Sequence, residues 1–189
     1  MIRKGKHYRP LGVLENVRLD ERLAQACAAK EYLRRTSIIW SSPLSDCNRV
    51  KATNQYALPV LRYLMWTQQW PLSELRDVDT AARKIIVEND GKHPASRTSL
   101  LYLPREKGGR GLRSVEHKYK ITKIKLLLKL YQNSDRTVKA VRELEEHAMA
   151  LGHQSLVKEA KQLSTLKNST SHFSLISKIP CVLQRKERW

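Results

Sequence analysis

The chain has 189 residues, long enough for one domain with a real core or for two small ones. It carries 36 Lys and Arg against 18 Asp and Glu, a formal charge of +18. Self-repulsion on that scale is relieved best by a polyanion, so nucleic acid is the expected partner and a membrane surface the weaker alternative.

Residues 1–14 open with Arg3, Lys4, Lys6 and Arg9 and no acid before Glu15, which reads as a basic arm. Leu11-Gly-Val-Leu14 suits a short strand or the lead into a helix. From about Asp20 to Ile39, Leu23, Ala26, Cys27, Lys30 and Leu33 recur at helical spacing, with Ala24, Ala28 and Ala29 favouring the helix. Ser42 before Pro43 reads as an N-cap followed by the first residue of a second helix, which runs to about Trp66. That helix should bury Val50, Ala57, Leu58, Leu61 and Leu64. Pro59 falls inside it, so a kink is expected between Gln55 and Pro59. Trp70-Pro71 restarts the chain. Leu72, Leu75, Val78, Ala82, Ile85 and Ile86 then hold the helical period until Asn89-Asp-Gly91 stops it.

Residues 91–113 read as a Gly/Arg-rich loop, within which Leu100 to Leu103 suits a short strand ended by Pro104. Gly108, Gly109 and Gly111 are three of the seven glycines in the chain, and they surround Arg110. Such a cluster marks a tight turn or a backbone that something approaches closely. With Arg105, Lys107, Arg110 and Arg113 around it, the stretch suits a phosphate, because bare N–H groups and guanidinium forks both donate to one. After Ser114, Val115, Ile121, Ile124, Leu127 and Leu128 make the apolar face of a helix to about Tyr131. Lys118, Lys120, Lys123, Lys125 and Lys129 line its other side. From Arg97 to Lys129 there are ten basic residues and two acids, Glu106 and Glu116, a local net of +8.

Ser134-Asp135 opens a further helix with Val138, Val141, Leu144, Ala148 and Leu151 as its apolar row and Gly152 as its stop. Another helix follows from about Ser155 to Leu166. Glu143, Glu145, Glu146 and Glu159 balance the bases there, so these helices read as packing elements. Residues 168–189 lose their period and read as a disordered tail. The fold class expected is mainly α: a bundle of about five to six helices with a Gly/Arg-rich loop and room for one short strand or hairpin. The segments are 1–14, 15–90, 91–113, 114–167 and 168–189.

Few groups offer catalysis. Asp77 and Asp79 resemble an Asp-x-Asp metal pair, but on a helix they point roughly 200° apart, so both read as solvated charges. His147 and His153 lie on either side of a helix stop, and His93-Pro94 reads as a turn. The glycine cluster has neither Walker nor dinucleotide-binding spacing. No catalytic residue, metal ligand or cofactor is therefore assigned. Cys27, Cys47 and Cys181 are odd in number and far apart, which fits neither a disulfide framework nor a zinc knuckle. A reducing intracellular compartment, nuclear or cytoplasmic, is expected. No apolar run approaches the roughly 18 residues of a spanning helix. Binding fares better: a lysine-faced helix after an arginine–glycine loop can lie along a phosphate backbone. Tyr102, Tyr119 and Trp66 or Trp70 could stack on bases, although such residues at helical spacing are more often core.

Two blocks together carry a resemblance. The first runs from Leu44-Ser-Asp-Cys-Asn-Arg49 through Asn54-Gln-Tyr-Ala-Leu-Pro-Val-Leu-Arg-Tyr63 to Trp70 and the helix with Asp79, Arg83 and Lys84. The second is His93-Pro94 and Leu101-Tyr-Leu-Pro-Arg-Glu-Lys-Gly-Gly-Arg-Gly-Leu112. From about Leu11 to Lys161 the chain resembles the region just downstream of the polymerase palm in non-LTR retrotransposon reverse transcriptases, the retrovirus-related Pol polyproteins of type-1 retrotransposable elements. Leu11-Gly-Val13 resembles the end of the palm's primer-gripping hairpin, although Pro10 stands where such proteins have an aromatic residue. The tail after about Lys167 does not continue the pattern. The resemblance implies a thumb (15–90) and the start of the linker (114–167), which close over a template–primer duplex, without the Asp-Asp catalytic motif of the palm. It implies binding to RNA, DNA or an RNA–DNA hybrid, and a palm domain as a further partner.

The expected function is therefore a non-catalytic, backbone-binding fragment of an RNA-directed DNA polymerase. Arg105, Lys107, Gly108, Gly109, Arg110, Arg113, Lys118, Lys120, Lys123 and Lys125 would form its nucleic-acid site, as a strip facing outward. If about five phosphates are neutralised, the log–log salt slope should be near −4.5. The alternatives are a thumb piece that supports reverse transcription with a palm in trans, and a non-functional remnant or interaction-only protein.

Overall fold

A computed structural model describes residues 21–153 and 155–165. The basic arm 1–14 and the tail 168–189 lie outside the described residues. The protein is mainly helical, and among the described residues there is no strand. No helix among them is long and apolar enough to cross a membrane. The chain divides into two compact units, Met1–Tyr119 and Lys120–Trp189.

In the first unit, α1 (Glu21–Ser41) packs against α3 (Pro59–Thr67) and α4 (Leu72–Glu88). Its buried face is Ala24, Tyr32, Thr36 and Trp40, eight, four and four residues apart, with Gln25 beside them. The aliphatic row expected from periodicity is displaced: Leu23, Ala26, Cys27 and Lys30 are exposed and Leu33 is half-buried. Two aromatic rings bury more area than those small side chains and set the rotation of the helix. Burial pushes the Tyr32 phenol above its usual range, and the Asp79 carboxylate adds to that. Gln25 is accommodated because its Nε2 donates to the Gln69 carbonyl at 2.8 Å.

The second helix begins at Asp46, not at Pro43. Ser42 turns its hydroxyl backwards, donating to the Ile39 carbonyl at 2.6 Å at the end of α1. Ser45 takes the N-cap position of α2 (Asp46–Ala52). The expected kink is a wide π-turn, Thr53–Ala57, immediately before α3. Pro59 has no N–H, and its ring would strike the carbonyl four residues back in a regular helix. The wide turn relieves this, with the Leu58 N–H reaching the Thr53 carbonyl at 3.0 Å. Val50, Ala57, Leu58, Leu61 and Leu64 are all buried.

α4 buries Leu75, Val78, Ala82 and Ile86 and ends where Asn89-Asp-Gly91 predicts. Asp90 takes the left-handed conformation (φ 56°), while Gly91 lies flat against the Trp40 ring, where any Cβ would collide. Trp40, Val50, Ile86, Leu101 and Leu112 form one buried cluster. The indole Nε1 of Trp40 donates to Thr53 Oγ1 at 3.0 Å.

The described part of the second unit holds the later turns of α6 (Val115–Gln132), α7 (Arg136–Ala150) and α8 (Leu156–Thr165). Leu127, Val157 and Ala160 form its core, with Tyr131 and Met149 against them. Asp135 caps α7, accepting from the Thr137 and Val138 amides at 2.8 and 3.4 Å, which holds its carboxyl below the usual range. Glu145 accepts from the Leu156 amide at 2.7 Å, at the start of α8. The Tyr131 hydroxyl donates to Glu146 at 2.9 Å; burial, and then that carboxylate, push its phenol up to about 12. Of the apolar row expected to be the core of α7, Val141, Leu144 and Leu151 are exposed instead, Leu144 by 70%, while Val138 and Ala148 are half-buried. No residue of α7 is fully buried, and Glu145 and Glu146 tether it to the Leu156 amide and the Tyr131 hydroxyl.

Candidate nucleic-acid interface

The stretch expected as a strand is a single helical turn, α5 (Thr98–Tyr102), so the short strand or hairpin does not occur there. The helical turn buries Leu101 in the Trp40 cluster and leaves Leu100 exposed. Leu103 is extended, as a residue before proline should be. Arg105–Lys107 then makes one tight 3-10 turn, closed by Gly108 at φ 77°.

The glycines serve the fold of the loop itself. Gly109 passes so close to Leu103 that a Cβ would strike its carbonyl. The loop amides are engaged internally: Gly108 donates to Arg105, Gly109 to Pro104, Arg110 to Leu100, Gly111 to Leu103 and Leu112 to Leu101, at 2.9 to 3.1 Å. Gly108 and Gly109 therefore do not present bare N–H groups to an anion, and that part of the expected site is corrected. Asn54, from the π-turn, clasps the loop from outside. Its Nδ2 donates to the Gly111 carbonyl and its Oδ1 accepts from the Arg113 amide, each at 2.9 Å.

What the loop presents outward is side chains. Arg105, Lys107 and Arg113 are exposed, with Glu106 as the acid among them. Arg105 Nε donates to the Arg110 carbonyl at 3.3 Å, leaving the far end of its guanidinium beyond that bond. Arg110 differs: its Nη1 lies 3.1 Å from Asp46 Oδ1, so an acid already faces it.

The lysines of α6 are not equivalent. In the first unit, Lys118 is half-buried. In the second, Lys120 is half-buried, while Lys125 and Lys129 are exposed and four apart on one face. Lys123 lies on the other side. Its side chain is buried, with Nζ 3.3 Å from Glu159 Oε2, so it is removed from the outward strip. A long lysine stem two residues from Lys125 points back towards α8, where a carboxylate compensates its burial.

No family model, curated protein or solved structure matches the chain.

The stacking candidates divide by burial. Tyr119 is fully buried, its hydroxyl accepting from the Trp70 amide at 2.9 Å, and Trp70 is buried as well. Tyr102 is half-buried; its hydroxyl accepts from Arg83 Nη1 at 3.0 Å, and burial, then Asp79, raise its pKa. Of the four, Trp66 is the exposed residue, by 37%.

Two residues that shape the interface escape a reading of sequence. Asp77 is exposed as expected, but Asp79 is buried and is no solvated charge. Its carboxylate accepts from Ser114 Oγ at 2.6 Å, the Val115 amide at 2.8 Å and the Glu116 amide at 3.1 Å, capping α6 from a different helix. Ser114 Oγ in turn accepts from the His117 amide at 3.2 Å. Ser114 carries a visible capping signal; Asp79, 35 positions away, carries none. Asn54 likewise has no local signal for its grip on the loop.

Proposed function

We propose that this chain is a nucleic-acid-binding piece of a non-LTR retrotransposon RNA-directed DNA polymerase, its thumb and the start of its linker, gripping template–primer backbone without catalysis of its own. The observation that carries this is the loop at 105–113. It is bonded to itself, clasped by Asn54 and anchored by Leu101 and Leu112, yet it holds Arg105, Lys107 and Arg113 in solvent. Side chains carried on an ordered backbone have less freedom to lose on meeting a phosphate, and guanidinium forks read backbone shape and not base sequence. The resemblance of the Leu44–Tyr63 and Leu101–Leu112 blocks to the region after the palm supports the same reading. Asp79, the one buried carboxylate of the Asp-x-Asp pair, is occupied in capping α6.

Arg105, Lys107 and Arg113 on the loop neutralise about three phosphates, so the affinity for an RNA–DNA hybrid should fall with a log–log salt slope of about −2.7 or steeper. Salt-insensitive affinity, or none, contradicts the reading. Primer extension by the chain mixed with a palm domain, absent from the palm alone, would give it an active role in trans. The rival reading, an inert or interaction-only product, draws on the exposed row of α7. It would show as concentration-dependent self-association with no affinity for any nucleic acid.

A further inference from the structure

A second surface of the first unit is built differently from the loop. Between Asp46 and Glu74 the sequence holds no acid at all. The outward side of the π-turn and α3 carries Tyr56, Tyr63 and Trp66, exposed by 65%, 41% and 37%, with Arg62 also exposed. Tyr63 and Trp66 are three apart on α3, and Tyr56 lies on the π-turn seven residues before Tyr63. Pro59 and Gln55, also exposed, lie among them. Arg35 reaches this face from α1, its Nη1 donating to the Tyr56 carbonyl at 3.0 Å. The acid beside it, Glu31, is bonded to both Arg34 and Arg35, so this corner stays net positive.

An acid-free basic margin around exposed rings selects a polyanion. In a duplex the base faces are covered by their neighbours, so flat exposed rings can meet bases only in an unpaired strand. We propose that Tyr56, Tyr63 and Trp66 form a stacking platform for single-stranded nucleic acid, RNA or DNA, distinct from the loop that grips backbone. The inference rests on the reading of the chain as a nucleic-acid binder.

The test compares the full chain with Tyr56→Ala/Tyr63→Ala and Tyr56→Phe/Tyr63→Phe double variants. Fluorescence anisotropy would follow a short oligothymidylate, the matching oligouridylate and an RNA–DNA hybrid, with circular dichroism checking the fold. The Ala pair should weaken single-strand binding about tenfold or more, with hybrid affinity unchanged, while the Phe pair, which keeps the rings, stays near the parent. A stronger effect on one oligonucleotide than on the other would identify the strand as RNA or DNA. Unchanged single-strand affinity in the Ala pair, or equal loss on strand and hybrid, overturns the platform. So does a parent chain that binds hybrid but no single strand, an outcome that leaves the loop reading standing. Binding of neither removes both. If the Ala pair instead abolishes self-association in sedimentation and leaves strand affinity intact, the face belongs to a second copy of the chain and the platform is overturned.

Discussion

The loop at 97–113 and helix α7 invert each other. By composition the loop is polar, glycine-rich and basic, with the marks of a solvated surface segment. Helix α7 has a cleanly periodic apolar row and the marks of a core element. In the folded protein the loop inserts Leu101 and Leu112 into the Trp40 cluster and bonds its amides inward, while Val141, Leu144 and Leu151 of α7 remain in water. Periodicity tells which residues could share a face; it does not tell whether anything covers that face. Order in the loop comes from its own carbonyls at Leu100, Leu101 and Leu103 and from Asn54, a distant partner that no local window reveals.

The widest gap between the two regions should be in core deletions. Leu101→Ala should cost about 3 kcal/mol in denaturant unfolding followed by far-UV circular dichroism. Asp79→Ala comes next. It removes a charged acceptor from Ser114 and two amides, so a loss of about 2 to 3 kcal/mol is expected in the same assay. Asn54→Ala should cost about 1 kcal/mol and speed hydrogen exchange at Gly111 and Arg113, the points where its clasp is released. By contrast, Leu144→Gln should shift stability by no more than about 0.5 kcal/mol, despite removing a large apolar side chain. A loss as large as that at Leu101 would mean the outer row of α7 is covered after all.

A pH series sharpens the α7 side of the contrast. Asp135 has its carboxyl held low by the Thr137 and Val138 amides, so its cap stabilises fully above the ordinary aspartate range. That contribution fades as pH falls through the lowered value. The difference in melting temperature between the parent and Asp135→Ala should therefore be constant near neutrality and vanish in strong acid. A difference that persists there would mean the carboxylate charge is not what stabilises the helix start.

The helices themselves were largely legible. The stop at Asn89-Asp-Gly91, the distortion before Pro59, the cap at Asp135 and the buried set from Val50 to Leu64 all follow from local chemistry. The rotation of α1 did not, because Tyr32 and Trp40 outweigh the aliphatic row, and α5 did not, because Leu-Leu-Tyr-Leu suits a strand or a helical turn equally well. Among the site residues, the exposure of Arg105, Lys107 and Arg113 was legible from their place in a Gly-rich stretch. The pairing of Lys123 with Glu159 and of Arg110 with Asp46 was not, since each joins residues from separate elements.

The central claim is that the loop at 105–113 is a rigid mount for phosphate-binding side chains. Its most direct test is the salt dependence of hybrid affinity for the parent and for the Arg105→Gln/Lys107→Gln/Arg113→Gln variant. Losing three contacts should make the log–log slope shallower by about 2.7. An unchanged slope would contradict the account.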